Sequence, residues 1–333
     1  MNDNCTLRWD CGSAKVMAMG ALLTDVIFEL PDRRLVSPLH KAPWLGKDLP
    51  PDTPPLLAHL QGEWPCVPFG APPNAPLDGA WRGLQPKPVR WPHGYGANHP
   101  WILAQDSPNM VTARIDYPNN SPIASLSRQV RGRPGEAALD ITLEIRVRCA
   151  TQVPVGLHPV FRLPEAVGAA RLILGRHGKI WSYPSDSGGV SAFEYREPVA
   201  TFEDLANGAF DPLNLPYRAA SETLLLLADT EGQVSLQNNA ENYRATLTWD
   251  AEALPSLMLW ISNMGRQSTP WQGQHLALGL EPVCAPFDLG QAMIGPETPL
   301  AKAGTKTAVS IHPDTPWRTH YAIGVEPCAV PFA

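Results

Sequence analysis

The chain is short of charge. Asp, Glu, Lys and Arg supply 17% of its 333 residues, and 26 basic against 32 acidic side chains leave a formal charge of -6. No basic stripe could follow a phosphate backbone, so no nucleic acid partner is expected. No apolar run reaches the ~18 residues needed to cross a bilayer. The start, Met1-Asn2-Asp3-Asn4-Cys5, lacks the basic and apolar regions of a signal peptide. The expectation is a soluble, cytoplasmic protein with no membrane association. Six cysteines, Cys5, Cys11, Cys66, Cys149, Cys284 and Cys328, stand far apart without a CxxC pair. They predict neither a disulfide framework nor a zinc clip, but buried thiols. A sustained helical stripe with caps is also missing. The best candidate, 202–210, contains Asn207-Gly208 and predicts a turn or two of helix. There is no internal repeat and no low-complexity tract.

Proline, by contrast, is abundant at 37 residues, which suits many short elements joined by stiff turns. Alternation with a period of two recurs along the chain. It is clearest at 139–149, where Leu139, Ile141, Leu143, Ile145, Val147 and Cys149 alternate with polar residues, the pattern of a half-buried strand. Weaker runs at 15–19, 22–30, 110–116, 223–227, 243–249, 257–261 and 307–311 predict further strands, most of them separated by turn residues. Between about 41 and 92, Pro and Gly dominate, and Trp44, Trp64, Phe69, Trp81 and Trp91 predict loops packed over the scaffold rather than a disordered linker. The expected fold is all-β, two large antiparallel sheets packed face to face as one domain over 1–333.

Three segments could carry chemistry. The run His275-Leu276-Ala277-Leu278-Gly279-Leu280-Glu281 puts three leucines on one face of a strand. His275 and Glu281 share the other face with Ala277 and Gly279, where there is room for a ligand. Pro282 is expected to stop the strand and leave the acid at a pocket rim. The second segment, 91–101, sets His93, His99 and two glycines among Trp91, Tyr95 and Trp101; glycines admit a ligand to the backbone and aromatic faces stack on sugars. In the third, 155–164, His158 and Arg162 lie opposite the apolar Val155, Leu157 and Phe161. Trp101, Arg90, Arg162, Trp271 and His275 are candidate substrate-binding residues. If Arg90 or Arg162 faces the pocket, a sugar phosphate or sugar acid becomes a plausible ligand, because a guanidinium makes charge-assisted pairs with such anions.

The order of these segments, a His-Gly loop, then His-Pro-x-Phe, then an apolar strand ending in Glu-Pro, resembles the aldose 1-epimerase, or galactose mutarotase-like, family. Gly62-Glu63-Trp64-Pro65-Cys66-Val67-Pro68-Phe69-Gly70 and Gly20-Ala21-Leu22-Leu23-Thr24-Asp25-Val26 resemble two more of its segments. The resemblance implies a β-supersandwich and a cofactor-independent isomerase that interconverts sugar anomers by opening and reclosing the hemiacetal. It assigns Glu281 as base, His158 as acid on the opposite side of a pyranose ring, and His93 as a hydrogen-bonding partner of the substrate. It calls for a small-molecule carbohydrate as partner, no metal or organic cofactor, and a monomer or dimer.

Two family features are missing. Ala71-Pro72-Pro73 follows the Pro-Phe where relatives carry Asn-Arg. The strand expected to bear a sugar-binding aspartate reads Ser221-Glu222-Thr223-Leu224-Leu225-Leu226-Leu227; Glu222, Asp229 and Asp211 are the possible substitutes. These losses keep a non-catalytic carbohydrate-binding or regulatory protein as the alternative. A metal enzyme using His93, His99, His158 and Glu281 is a further possibility.

Overall fold

The computed structural model describes residues 3–206 and 211–328. Its largest sheet has nine antiparallel strands. Five of them, Gln233–Asn238, Tyr243–Trp249, Trp317–Pro327, Ala138–Val147 and Ile123–Gly132, form its centre in that order. A second sheet of seven strands includes the neighbours Ile180–Ser182, Ser221–Leu227, Ser256–Asn263, Leu276–Cys284, Val155–Leu157 and Pro65–Cys66, with Val160–Arg162 also paired to Leu276–Cys284. A four-stranded sheet begins at Asn4–Trp9 and ends at Leu35–Val36.

Alternation decides how the sheets pack. In Ala138–Val147, Leu139, Ile141, Leu143 and Ile145 enter the main apolar core, while Glu144 and Arg146 face outward and pair with each other. The seven-stranded sheet behaves differently, because both of its faces are covered. Leu225, Leu227, Leu257, Leu259, Ile261, Leu278 and Leu280 join the main core. Leu224, Leu226, Met258, Trp260 and Ala277, from the other face of the same strands, join a second cluster with Trp44, Trp64, Phe69 and Trp81. The consecutive leucines at 224–227 are therefore a strand buried on both sides. Trp44, Trp64, Phe69 and Trp81, all from the Pro- and Gly-rich region, roof that second face.

The alternating runs at 110–116, 139–149, 223–227, 243–249 and 257–261 all coincide with strands, whose bounds move by two residues or fewer. The candidate helix at 202–210 yields Phe202–Ala206; its remaining positions lie outside the described residues. Two expectations need correction. Of the six thiols, Cys5, Cys66 and Cys284 are buried, but Cys149 is exposed and Cys11 and Cys328 are half-buried. Pro282 does not stop its strand, which continues to Cys284. Pro282 lies across from Leu257, and beyond it Val283 and Cys284 keep pairing with Gly156 and Val155 on the opposite flank. A missing donor at one position is tolerated where two neighbouring strands hold the residues that follow.

One buried ion pair ties the layers together. Arg128, on the nine-stranded sheet, pairs with Glu63 of the roof, both wholly buried. Arg128 also donates to the Ala21 carbonyl at 2.9 Å, and the Tyr321 hydroxyl donates to Glu63 Oε1 at 2.6 Å.

Candidate functional site

The covered outer face of the seven-stranded sheet holds a cavity of about 270 Å3 lined by residues from distant parts of the chain. Its floor is the strand Leu276–Cys284. Glu281 is 0% exposed, so it sits at the bottom of the pocket and not at a rim. Gly279 makes the space for it: a Cβ there would lie 2.5 Å from Glu281 Oε1 and 2.9 Å from Trp260 Cβ.

His158 lies between the strands Val155–Leu157 and Val160–Arg162. Its imidazole is stacked on Trp64 with centroids 4.2 Å apart, and its Nε2 is 3.5 Å from Glu281 Oε1. His93 meets it edge to face, with centroids 5.0 Å apart. The loop carrying His93 is tightly built. His93 has φ 58° and donates its backbone N–H to the Gly70 carbonyl at 2.7 Å. Gly94 passes so close to Val67 that a Cβ would lie 2.1 Å from its carbonyl oxygen. Buried Asn98 holds the loop from within, donating to the carbonyls of Pro92 at 2.7 Å and Gly94 at 2.9 Å.

The three candidate catalytic residues thus converge on one cavity, in a different arrangement from the expected one. At 3.5 Å, His158 and Glu281 stand side by side, and no pyranose ring fits between them. Both Glu281 carboxyl oxygens are buried and make no hydrogen bond among the described residues, as are His158 Nδ1 and His93 Nδ1. Buried polar atoms normally have partners, so this cluster is the set of groups a polar ligand would satisfy.

Burial governs their ionisation. Desolvation, with the nearby charge of Asp288 second, holds the Glu281 carboxyl well above the usual carboxylate range, against the pull of Arg266. Desolvation and neighbouring His93 hold His158 well below 6.5. Desolvation, aided by Arg266, pushes His93 down to about 4. Burial thus favours the neutral form of all three.

The other expected residues are divided. Trp271 lines the cavity. His275 is one layer behind it: it stacks on Trp260 at 5.1 Å, and its Nδ1 is 2.9 Å from Ser262 Oγ. Trp101 is buried in the main core with its indole donating to the Gly96 carbonyl at 2.8 Å. Arg162 turns to a separate surface cleft and pairs with Glu241 at 2.7 Å. Arg90 is exposed, over the Trp91 ring at 4.9 Å. These three belong elsewhere because nearness in sequence to a site residue does not fix the side of the chain on which a side chain emerges. His99 stacks on Tyr95. Among the described residues no group of three or more His, Cys, Asp or Glu is spaced to hold a metal.

Two charged lining residues escaped the sequence reading, Arg266 and Asp288. Arg266 Nε is 3.0 Å from Glu222 Oε1, and its guanidinium lies 4.6 Å from the Trp271 ring centre. Asp288 Oδ1 accepts from the Tyr183 hydroxyl at 2.7 Å, and desolvation raises this carboxyl to about 6. Of the three possible substitutes for the missing aspartate, Glu222 stands beside the cavity, held by Arg266 and by the Ser262 hydroxyl at 2.9 Å. Asp211 pairs with Arg171 and Asp229 is exposed. The signal for Arg266 and Asp288 was positional: each lies just beyond the end of a strand buried on both faces.

No protein-family model and no curated protein sequence matches the chain. Solved structures do. A candidate aldose 1-epimerase from Escherichia coli K12 superposes with a TM-score of 0.66 at 14% identity, covering 97% of this chain and 99% of the other. A galactose mutarotase related enzyme from Lactobacillus acidophilus gives 0.62 at 10% identity over 99% and 100%. An aldose epimerase homologue from C. elegans gives 0.61 at 12% identity over 98% and 99%. At such identities the likeness concerns the fold, and it extends over almost the whole of each chain. The protein has the galactose mutarotase-like fold.

Proposed function

We propose that the protein is a cofactor-independent aldose 1-epimerase-like isomerase, interconverting the anomers of a sugar or sugar derivative bound in the Glu281 pocket. The observation that carries this reading is the pair formed by Glu281 and His158, 3.5 Å apart at the bottom of a cavity that also holds His93. Anomerisation needs one group to take the proton of the anomeric hydroxyl and another to give a proton to the ring oxygen. Those two oxygens share one carbon. A donor and an acceptor standing side by side can therefore address both from one direction, and need not straddle the ring.

The proton count closes. The pair carries one transferable proton, on Glu281 or on His158. Opening the ring takes a proton from the anomeric hydroxyl to one member while the other member protonates the ring oxygen. The C1–ring-oxygen bond breaks, and the anomeric oxygen becomes the carbonyl. After rotation about the C1–C2 bond, reclosure returns each proton and yields the other anomer. Before substrate binds, burial favours the proton on Glu281. Sugar hydroxyls donating to the carboxylate move it towards His158, the state in which Glu281 takes the anomeric proton. His93 stands where it can hydrogen-bond an oxygen near the reacting carbon.

Exchange NMR on a panel of aldoses tests the reading. Wild-type acceleration with at least one sugar, lost in Glu281→Gln and His158→Gln, is the expected result; no acceleration with any of them overturns it. A second reading, a carbohydrate-binding protein without turnover, is favoured by Ala71-Pro72-Pro73 standing where the resemblance calls for an arginine. Calorimetric sugar binding without anomerisation would select it.

A further inference from the structure

The cavity is lined by one guanidinium, Arg266, and two carboxyl groups, Glu281 and Asp288, while a third carboxyl, Glu222, holds the guanidinium. Arg266 and Asp288 are fixed by the same kind of device. Arg266 Nε donates to the Ser187 carbonyl at 3.1 Å besides facing Glu222. Asp288 accepts from Tyr183 through its side chain, and its carbonyl accepts from the Ala71 N–H at 2.8 Å. Ala71 lies in the segment where the resemblance calls for an arginine. The loop leading to each also contains a non-glycine residue in left-handed backbone, Met264 (φ 61°) before Arg266 and Phe287 (φ 55°) before Asp288. Backbone held in that region concentrates where a ligand geometry demands it.

We propose that Arg266 and Asp288 bind the substrate's hydroxyl groups and select an uncharged monosaccharide over a sugar phosphate or sugar acid. The inference rests on the anomerisation reading above for the identity of the pocket, and adds the substrate class. The argument is one of charge and size. A carboxylate accepts from two hydroxyls and a guanidinium donates to their oxygens, so a neutral diol bridging Asp288 and Arg266 satisfies both. An anionic substituent would need a cation of its own. Arg266 already faces Glu222, and Asp288 would repel the newcomer. The volume, about 270 Å3, lies just under the roughly 300–1,000 Å3 of ordinary small-molecule pockets, which suits one sugar ring.

Calorimetry and exchange NMR on the full chain, with galactose, glucose, their 6-phosphates and their uronic acids, test the proposal. Neutral sugars are expected to bind at least about tenfold more tightly than the anionic ones. Asp288→Asn and Arg266→Lys should each weaken neutral-sugar binding by about tenfold or more, with a thermal melt confirming the fold. Tyr183→Phe, which loosens Asp288 without removing it, should fall between. Glu222→Gln should narrow the preference for neutral over anionic sugars by releasing the charge of Arg266. Tighter binding of a phosphate or uronate overturns the proposal. So does neutral-sugar affinity unchanged in both Asp288→Asn and Arg266→Lys, or no neutral monosaccharide bound at about 10 mM. Neutral-sugar binding that depends on Asp288 but leads to no anomerisation would sink the isomerase reading and leave the selection standing; anomerisation of sugar phosphates in preference would do the reverse.

Discussion

His158 Nε2 lies 3.5 Å from Glu281 Oε1, and neither oxygen of that buried carboxyl has a hydrogen-bond partner among the described residues. A carboxyl kept dry and unpaired weakens the fold, and the cost depends on pH. Its folded pKa is raised well above 4.5. Between 4.5 and that raised value the folded chain holds more protons than the unfolded one, so stability falls as pH rises through the interval. We expect Glu281→Gln to be more stable than wild type in urea melts at pH 8, with the gain shrinking towards pH 4.5. The same variant should lose about 10²–10⁴-fold in anomerisation rate. A loss of activity accompanied by a loss of stability at pH 8 would contradict this.

His93 has the opposite sign. Its folded pKa is pushed down from 6.5 to about 4, so below pH 6.5 the unfolded chain takes up a proton that the folded chain refuses. Stability attributable to this group falls as pH drops from 6.5 towards 4. His93→Gln should flatten the pH dependence of the unfolding free energy in that window, as read from urea melts at half-unit steps.

The strands of this protein were readable because a period of two survives wherever one face of a strand is wet. Tyr243–Trp249 and Met110–Asp116 match their alternating runs. Glu281 was readable for a related reason, since Ala277 and Gly279 beside it announce space on one face. Arg266 and Asp288 were not, because each sits in a loop beyond a strand end, where no periodicity assigns a direction to a side chain. Arg162 shows the same limit from the other side. It was placed on the correct face of its strand, opposite Phe161, yet it lies past the end of the pocket and pairs with Glu241. The polar chain from His275 through Ser262 to Glu222 draws on three neighbouring segments, and only the registers that set Glu222 opposite Ser262 and Asn263 opposite Leu276 bring them together.

Asp288 should impose its own pH dependence on binding. With its carboxyl raised to about 6, it is a carboxylate above that pH and a poorer acceptor below it. KM for a neutral sugar should therefore rise as pH falls through about 6, while Asp288→Asn shows no such step. The measurement is KM at constant ionic strength from pH 5 to 8.

Asn98 holds the His93 loop through the carbonyls of Pro92 and Gly94 without lining the cavity. In Asn98→Ala the half-buried Pro92 carbonyl and the buried Gly94 carbonyl lose a donor and the Leu56 N–H loses its acceptor. The expected cost is about 1–3 kcal/mol for each group left unsatisfied. Because His93 is displaced rather than removed, activity should fall by less than in His93→Ala. Urea melts and initial rates on the two variants settle the order.

The Glu63–Arg128 pair separates stability from function. It is wholly buried and joins the roof to the nine-stranded sheet, away from the cavity. Arg128→Met strands the Glu63 carboxylate with only the Tyr321 hydroxyl as donor, and removing one member of a buried pair costs about 3–5 kcal/mol. Replacing both partners leaves no stranded charge, so Glu63→Leu with Arg128→Met should cost less than the sum of the single changes. The remaining penalty comes from the Ala21 carbonyl and the Tyr321 hydroxyl, which lose their partners. A double-mutant cycle in urea measures the coupling. Wherever the variants remain folded, anomerisation per folded molecule should be unchanged, because neither side chain reaches the pocket that holds Glu281.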